Sequence, residues 1–369
     1  MQRIVLLGAT GYTGTLVAHE LVRLGARPLL AGRSRDRLAS LVDDLTSVTG
    51  PRLETAIADV DDPATVRALV EHGDVLVSMV GPFVRHGGPA IEAAIDTGAV
   101  YLDSTGEPAF IRDVVERYGP RAHAAGTALL TAFGHDWVPG NVAGALALRE
   151  AGDATTRLSI GYFGSGGGGI SGGTRASAAR VVLEPSYAFR GGRLRAERVG
   201  ARVVTFELGH GRRVRGVSAG GTEPFTLPAL APGLRDVDVV IGARTPSLRL
   251  VPAATAVLTG ALRVPGLGPR VRRVLEARST GSSGGPDAAR RARSRSHVVA
   301  DARDADGALL RRVRLDGPDP YDLTARFLAW GALRAAEDGV RGTGALGPVD
   351  AFGLDAMLDA LREAGVRIR

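Results

Sequence analysis

The segment that most restricts the fold runs from Arg3 to Gly14: an apolar stretch ending at Leu7, then Gly8-Ala-Thr-Gly11-Tyr-Thr-Gly14. A buried-strand run, a glycine turn and a helical stretch (Thr13 to Leu24) follow one another without a spacer. Each glycine has its own task. Gly8 permits a tight turn, Gly11 lets the backbone approach a diphosphate, and Gly14 lets helix and strand pack closely. The helix start then offers free N–H groups and the positive end of a dipole to phosphate. Gly8, Thr10, Gly11, Tyr12, Thr13 and Gly14 are therefore expected to hold a dinucleotide. A glycine-rich turn without a ligand is the competing reading.

The same alternation continues for about 130 residues. Pro28 to Ala31, Leu53 to Ala58, Val75 to Val80, Val100 to Leu102 and Ala128 to Thr131 read as buried strands separated by amphipathic helices. That rhythm means a parallel sheet covered on both faces, so the fold class is α/β, with an N-terminal Rossmann domain over 1–135. Beyond it the rhythm changes. Strand-like runs at Arg157 to Phe163, Arg202 to Glu207 and Val237 to Ile241 lack regular crossover helices, and Val298 to Asp304 with Leu309 to Leu315 reads as a hairpin around Asp306-Gly307. A second α+β domain with a mixed or antiparallel sheet is expected at 136–340, serving substrate binding and dimerisation. The helices from Tyr321 to Glu337 and Gly353 to Gly365 are expected to return to the first domain, the latter within a helical segment at 341–369 that packs back on it.

The end of the second strand separates NAD from NADP. An acid there would bond the ribose hydroxyls and repel a 2′-phosphate; this chain has Gly32-Arg33-Ser34-Arg35 instead. Arg33 and Ser34 suit the phosphate, with Arg35 or Arg37 adding charge, so NADP is the expected cofactor. Asp59 and Val60 close the third strand on the adenine side, although Asp59 also suits the cap of the next helix. Ser78, Val80, Gly81 and Pro82 close the fourth strand on the ribose and nicotinamide side. Ser104 and Thr105 follow the fifth.

Composition removes several chemistries. The 369 residues include no cysteine, so disulfides, thiolate metal sites and cysteine nucleophiles are excluded. All 46 basic residues are arginine, which rules out a lysine Schiff base and a Tyr-x-x-x-Lys pair. The net charge of +7 draws anions: phosphates, an acidic carrier protein, nucleic acid or an anionic membrane. Arg290, Arg291, Arg293 and Arg295 read as a solvated loop; no aromatic residues interleave with them, so nucleic acid is not expected as a partner. Leu250 to Leu262 is the longest charge-free apolar stretch, too short to span a membrane and broken by Pro252 and Gly260. No signal peptide precedes the first strand, so a cytoplasmic location is expected.

Taken with later motifs, the glycine turn resembles that of the saccharopine-dehydrogenase-like oxidoreductases, more narrowly the bacterial trans-acting enoyl reductase group. The residues are Gly8 to Gly14, Gly81-Pro82-Phe83 with Gly87, Tyr101-Leu-Asp103-Ser-Thr105-Gly106-Glu107, Gly134-His135-Asp136-Trp-Val138-Pro139, Ser171-Gly172-Gly173-Thr174, and Asp319-Pro320-Tyr321 with Thr324. The resemblance implies a Rossmann domain, a second α+β domain with a mixed sheet, and NADP(H). It favours enoyl reduction among reductions of C=C, C=O or C=N bonds in a small or carrier-bound metabolite. Two departures bear on substrate contacts: Arg85-His86 stands where relatives often have a second tyrosine, and His135-Asp136-Trp137 where they have Asp-Ser.

For the chemistry itself, His86 lies after the fourth strand and suits a proton donor near neutral pH. Glu107 follows the fifth strand, and His135 and Asp136 the sixth. Each also has a plain structural reading, as loop histidine, helix cap or junction residue. His19, His72, His123, His210 and His297 have no metal-ligand spacing, so no metal is expected. Ser171 to Thr174 is expected to face the nicotinamide end across a cleft, with His86 and His135 opposite. Two functions stay open: a reductase, and a non-catalytic NADP(H)-binding sensor or scaffold.

Overall fold

Aliphatic runs bounded by glycine turns become the strands of the first unit: β1 (Ile4–Leu7), β2 (Leu29–Gly32), β3 (Thr55–Ile57), β4 (Val75–Ser78), β5 (Val100–Asp103) and β6 (Ala128–Leu130). In the computed structural model, which describes residues 2–50, 52–166, 171–172, 184–207, 213–242, 246–278 and 284–369, these strands are all parallel. Their order is β6-β5-β4-β1-β2-β3, with the two-residue strand Gly344–Ala345 added in parallel beside β6. Winding proceeds one way from β1 to β3 and the other way from β4 to β6. The reversal between β1 and β4 opens a crevice at the carboxyl ends of the strands, where open α/β sheets bind ligands.

Every residue of β1 and β4 is buried, as a sheet covered on both faces requires. The helix Tyr12–Arg23 buries Gly14, Val17, Ala18, Leu21 and Val22, one apolar stripe at helical spacing. The helix Pro320–Asp338 packs beside it, its alanines and Gly331 on the buried side.

That helix corrects the expected domain limits. The first unit comprises Met1–Gly106, Phe110–Val138 and Pro320–Ala360, and the second Glu107–Ala109, Pro139–Asp319 and Leu361–Arg369. The chain re-enters the first unit at Pro320, with the helix expected from Tyr321 to Glu337, because the apolar stripe from Leu323 to Ala336 has its partner there. The last residues do not stay with the first unit either: Arg367–Ile368 pairs with a strand of the second unit.

The second unit holds β7 (Arg157–Ser165), β8 (Ser186–Arg190), β9 (Arg193–Glu197), β10 (Val203–Glu207), β11 (Arg213–Ser218), β12 (Asp236–Gly242), β13 (Arg295–Arg303) and β14 (Leu309–Gly317). The sheet runs β10-β11-β12-β7-β13-β14, ending on Arg367–Ile368, with β8 pairing β12 and β9. It is mixed: β12 lies parallel to β7, and the remaining pairs are antiparallel. The expected hairpin is β13–β14, with Gly307 at a φ of 87° in the left-handed region that its turn needs. The arginine run is not a loop. Arg290, Arg291 and Arg293 lie in the helix Ala288–Arg293, capped by Asp287, and Arg295 opens β13.

Candidate functional site

The glycine turn closes onto the end of β4. Gly8 has a φ of 79°, and a Cβ there would lie 2.9 Å from Val80 Cγ2 and 3.1 Å from the Met79 carbonyl carbon. The Gly8 and Ala9 N–H groups donate to the Ala31 carbonyl at 2.8 and 3.1 Å, fixing the turn to β2. A Cβ on Gly14 would lie 2.3 Å from the Gly8 carbonyl oxygen, so helix and turn touch backbone to backbone. Gly11 differs. A Cβ there would meet, within 4 Å, one described atom, the Gly8 oxygen at 3.3 Å. Gly11 is also the N-cap of Tyr12–Arg23 and supplies no side-chain cap. The helix start is therefore left uncapped by side chains beside open space, which fits a diphosphate.

At the end of β2, Arg33 is exposed and Ser34 caps the next helix, its hydroxyl accepting from the Arg37 N–H at 3.4 Å. The Arg37 guanidinium donates to the Thr10 carbonyl, so this arginine ties the β2 end to the glycine turn. After β3 the Asp59 carboxylate accepts from the Asp61 N–H at 3.1 Å. That bond tightens the turn before the helix Pro63–Arg67, whose N-cap is Asp62 and not Asp59.

Beyond β4, Gly81 and Pro82 lead into the short helix Phe83–His86. His86 is 20% exposed, and its Nδ1 lies 3.7 Å from Asp61 Oδ1. Gly87 has a packing reason: a Cβ there would meet the Phe110 ring at 2.4 Å. Ser78 and Thr105 are completely buried, so their side chains cannot reach a ligand in this conformation and only their backbone is on offer. The Ser104 hydroxyl donates to Met79 Sδ at 3.8 Å.

The strongest electrostatic feature is Asp103, the last residue of β5, with no exposed surface. Its Oδ1 accepts the N–H groups of Thr105 and Ala132, and its Oδ2 the Thr131 hydroxyl, each at 2.8 Å. Burial raises its pKa from 3.8 to about 6, against these three hydrogen bonds, which lower it. The buried Tyr101 hydroxyl faces this carboxyl and Ser78 without hydrogen-bond geometry to either, and burial holds its pKa well above the usual phenol value. Asp103 binds the post-β5 loop to the post-β6 loop.

The post-β6 loop carries His135 and Asp136, with His135 Nδ1 3.1 Å from Asp136 Oδ1. His135 is 11% exposed and Asp136 47%. The His135 N–H donates to Thr324 Oγ1 at 3.0 Å, and a Cβ on Gly134 would lie 2.9 Å from Thr324 Cγ2. The same helix places Tyr321 edge-on to Tyr12, ring centroids 5.1 Å apart. A Cβ on Gly106 would meet Asp136 Oδ2 at 3.4 Å.

The first unit thus gathers the glycine turn, Arg33 and Ser34, Asp59 and Val60, Ser78 to Pro82, Ser104, Thr105 and His86 at the ends of its parallel strands, with His135 and Asp136 beyond β6. Glu107 is not among them: it is fully buried and belongs to the second unit. Gly173 and Thr174 lie outside the described residues, and Gly172 donates to the Gly284 carbonyl at 2.9 Å within the second unit. Sequence reasoning missed Asp61 as the partner of His86 and Thr131 as a partner of Asp103. An acid ending a strand as apolar as Val100 to Leu102 was the available signal for the second.

Residues 4–130 match the family of the saccharopine dehydrogenase NADP-binding domain. Apart from Glu107–Ala109, the match falls within the first unit. Its matched segment ends at Leu130, the last residue of β6, and NADP is its cofactor. A Mycobacterium tuberculosis protein provisionally named a trans-acting enoyl reductase is 39% identical over 193 residues, 50% of this chain and 45% of that protein. A protein named trans-acting enoyl reductase from Mycobacterium leprae is 36% identical over 144 residues, 38% of this chain and 34% of its own. The matches therefore span less than half the length of these relatives. Saccharopine dehydrogenase (L-Glu forming) from Saccharomyces cerevisiae has the same fold: TM-score 0.61, over 100% of this chain and 99% of that one, at 14% identity. The likeness covers the NADP-binding domain and the second unit alike. Among the described residues no helix is long and apolar enough to cross a membrane.

Proposed function

We propose that the chain is an NADPH-dependent reductase that saturates an α,β-unsaturated acyl group, carried as a thioester. The observation that carries this reading is the end of β2, where exposed Arg33 and Ser34 stand in place of a ribose-binding acid, with Arg37 held on the glycine turn. NADP(H) chemistry runs mostly in the reductive direction in such enzymes when NADPH is bound, and the cofactor supplies the hydride. The names of the mycobacterial relatives support the acyl substrate.

In this reading Gly8 to Gly14 and the helix start hold the diphosphate, and Arg33 and Ser34 the 2′-phosphate. The bound cofactor would supply the hydride for the β-carbon of the unsaturated acyl group; the chain's own part is to hold the thioester, whose oxygen would carry the developing charge, and to deliver a proton to the α-carbon. His86 supplies that proton from the end of the short helix after β4, where its Nδ1 lies 3.7 Å from Asp61 Oδ1. His135 and Asp136 contact the acyl group or its carrier arm.

The test is NADPH consumption with an unsaturated pantetheine thioester, the saturated product identified by mass. NADPH should bind about tenfold or more tightly than NADH. His86→Gln should lower kcat and leave NADPH affinity unchanged. If NADPH binds but unsaturated thioesters, ketones and imines all go unreduced, the chain is a cofactor-binding scaffold and the proposal fails.

A further inference from the structure

We propose that the helical pair Val251–Arg263 and Leu267–Arg278 seats the second unit on the surface of an anionic lipid layer. This is independent of the reductase reading. From Leu250 to Leu262 the sequence has no charged residue. A helix apolar all round is normally buried in a water-soluble protein. Here one side is open: Leu250 is 68% exposed and Val257 74%, and Ala253, Ala254 and Gly260 are exposed with them. Steps of three and four residues put these positions on one stripe.

The opposite side fastens the helix to its own unit. A Cβ on Gly200 would meet Val251 and Thr255 at 2.8 and 3.2 Å, and the Arg198 guanidinium donates to the Pro252 carbonyl at 3.0 Å. Thr255 and Thr259 are both half-buried, and the Thr259 hydroxyl is spent on the Thr255 carbonyl at 2.7 Å. The open stripe is left without a hydrogen-bonding side chain. Apolar exposure continues past the helix end, with Val264 at 48% and Leu267 at 44%.

Charge selects the occupant. Between Pro246 and Arg278 the chain has six arginines and one acid, Glu276; Arg249, Arg270 and Arg273 are exposed. A second copy meeting the same face would bring like charges together, whereas an anionic lipid surface neutralises them. Thirteen helical residues reach about 20 Å, short of the roughly 30 Å hydrocarbon core. The helix therefore lies in the interface with its apolar side down, as basic amphipathic helices do.

Flotation of the full chain with phosphatidylcholine vesicles, with and without phosphatidylglycerol, tests this. At low salt the anionic vesicles should carry at least about tenfold more protein, and added salt should remove most of the difference. Val257→Asp with Leu250→Glu, both at exposed positions, should abolish flotation while thermal unfolding and NADPH affinity stay as in the parent. Arg249→Gln, Arg270→Gln and Arg273→Gln together should erase the preference for anionic lipid. Equal binding to both vesicles, or none, overturns the proposal. So does a concentration-dependent dimer that Val257→Asp dissolves, which would make the stripe an interface between copies.

Discussion

Replacing Asp103 by Asn removes an ionisable group from a fully buried position while keeping its shape. The amide oxygen can still accept from the Thr105 and Ala132 N–H groups, and the Thr131 hydroxyl can turn from donor to acceptor toward the amide nitrogen. The stability difference is then mainly the charge. With its pKa raised from 3.8 to about 6, the folded state favours the protonated carboxyl. The stabilisation is fully present below pH 3.8, the unfolded value, and is lost as pH rises through about 6. The whole shift corresponds to about 3 kcal/mol, of which about 2 kcal/mol falls between roughly pH 4.5 and pH 7.5. Urea unfolding of both proteins at those two pH values gives the comparison. Relative to the parent, Asp103→Asn should gain about 2 kcal/mol on going from the acidic to the neutral condition. No pH-dependent difference would mean that the three hydrogen bonds, not burial, dominate the carboxyl, and the reasoning would be refuted.

Other substitutions probe the site. Gly14→Ala puts a methyl group 2.3 Å from the Gly8 oxygen; it should cost about 1–3 kcal/mol of stability by overpacking, seen as a lower Tm, and weaken NADPH binding with it. Arg33→Asp should cost about 1.5–3 kcal/mol in NADPH affinity and leave NADH affinity unharmed, measured by fluorescence titration; an equal loss for both cofactors would place Arg33 away from the 2′-phosphate. Thr324→Val leaves the His135 N–H without its acceptor and should cost about 1–3 kcal/mol of stability in thermal or urea unfolding.

Much of the first unit was legible because its signals are local. Strand, glycine turn and helix stand side by side from Arg3 to Leu24, and the acid missing after Gly32 lies within three residues of its strand. The second unit was harder. The strands β8 and β9 read Ser-Tyr-Ala-Phe-Arg and Arg-Leu-Arg-Ala-Glu, short and arginine-bearing, and they exist because they pair with each other and β8 with β12. Pairing of that kind is decided between segments and leaves little trace within either. The same holds for Asp61 and His86, 25 positions apart in sequence and joined because β3 and β4 end at the same edge of the sheet. Glu107 shows how far proximity to a strand end reaches: it follows β5 closely in sequence, yet the chain passes to the second unit at that residue.

The helix Pro320–Asp338 explains why a segment so late in the chain belongs with the first strands. Its first turns supply Tyr321 against Tyr12 at the opening of the cofactor helix, and Thr324 against Gly134 and His135 after β6. Asp103 joins the post-β5 loop to that same post-β6 loop from the interior. Two braces thus hold the histidine loop, Thr324 of the helix at the His135 N–H and the buried Asp103 carboxyl at Thr131 and Ala132. A Cβ on Gly134 would lie 2.9 Å from Thr324 Cγ2, so the first brace is packed directly against the loop backbone. Groups positioned on packed helices and buried hydrogen bonds hold their geometry better than groups on free loops. The loop bearing His135 and Asp136 is therefore fixed to the same support as the glycine turn. A ligand that displaced the cofactor helix would be felt at His135 through Tyr12, Tyr321 and Thr324, one turn of one helix.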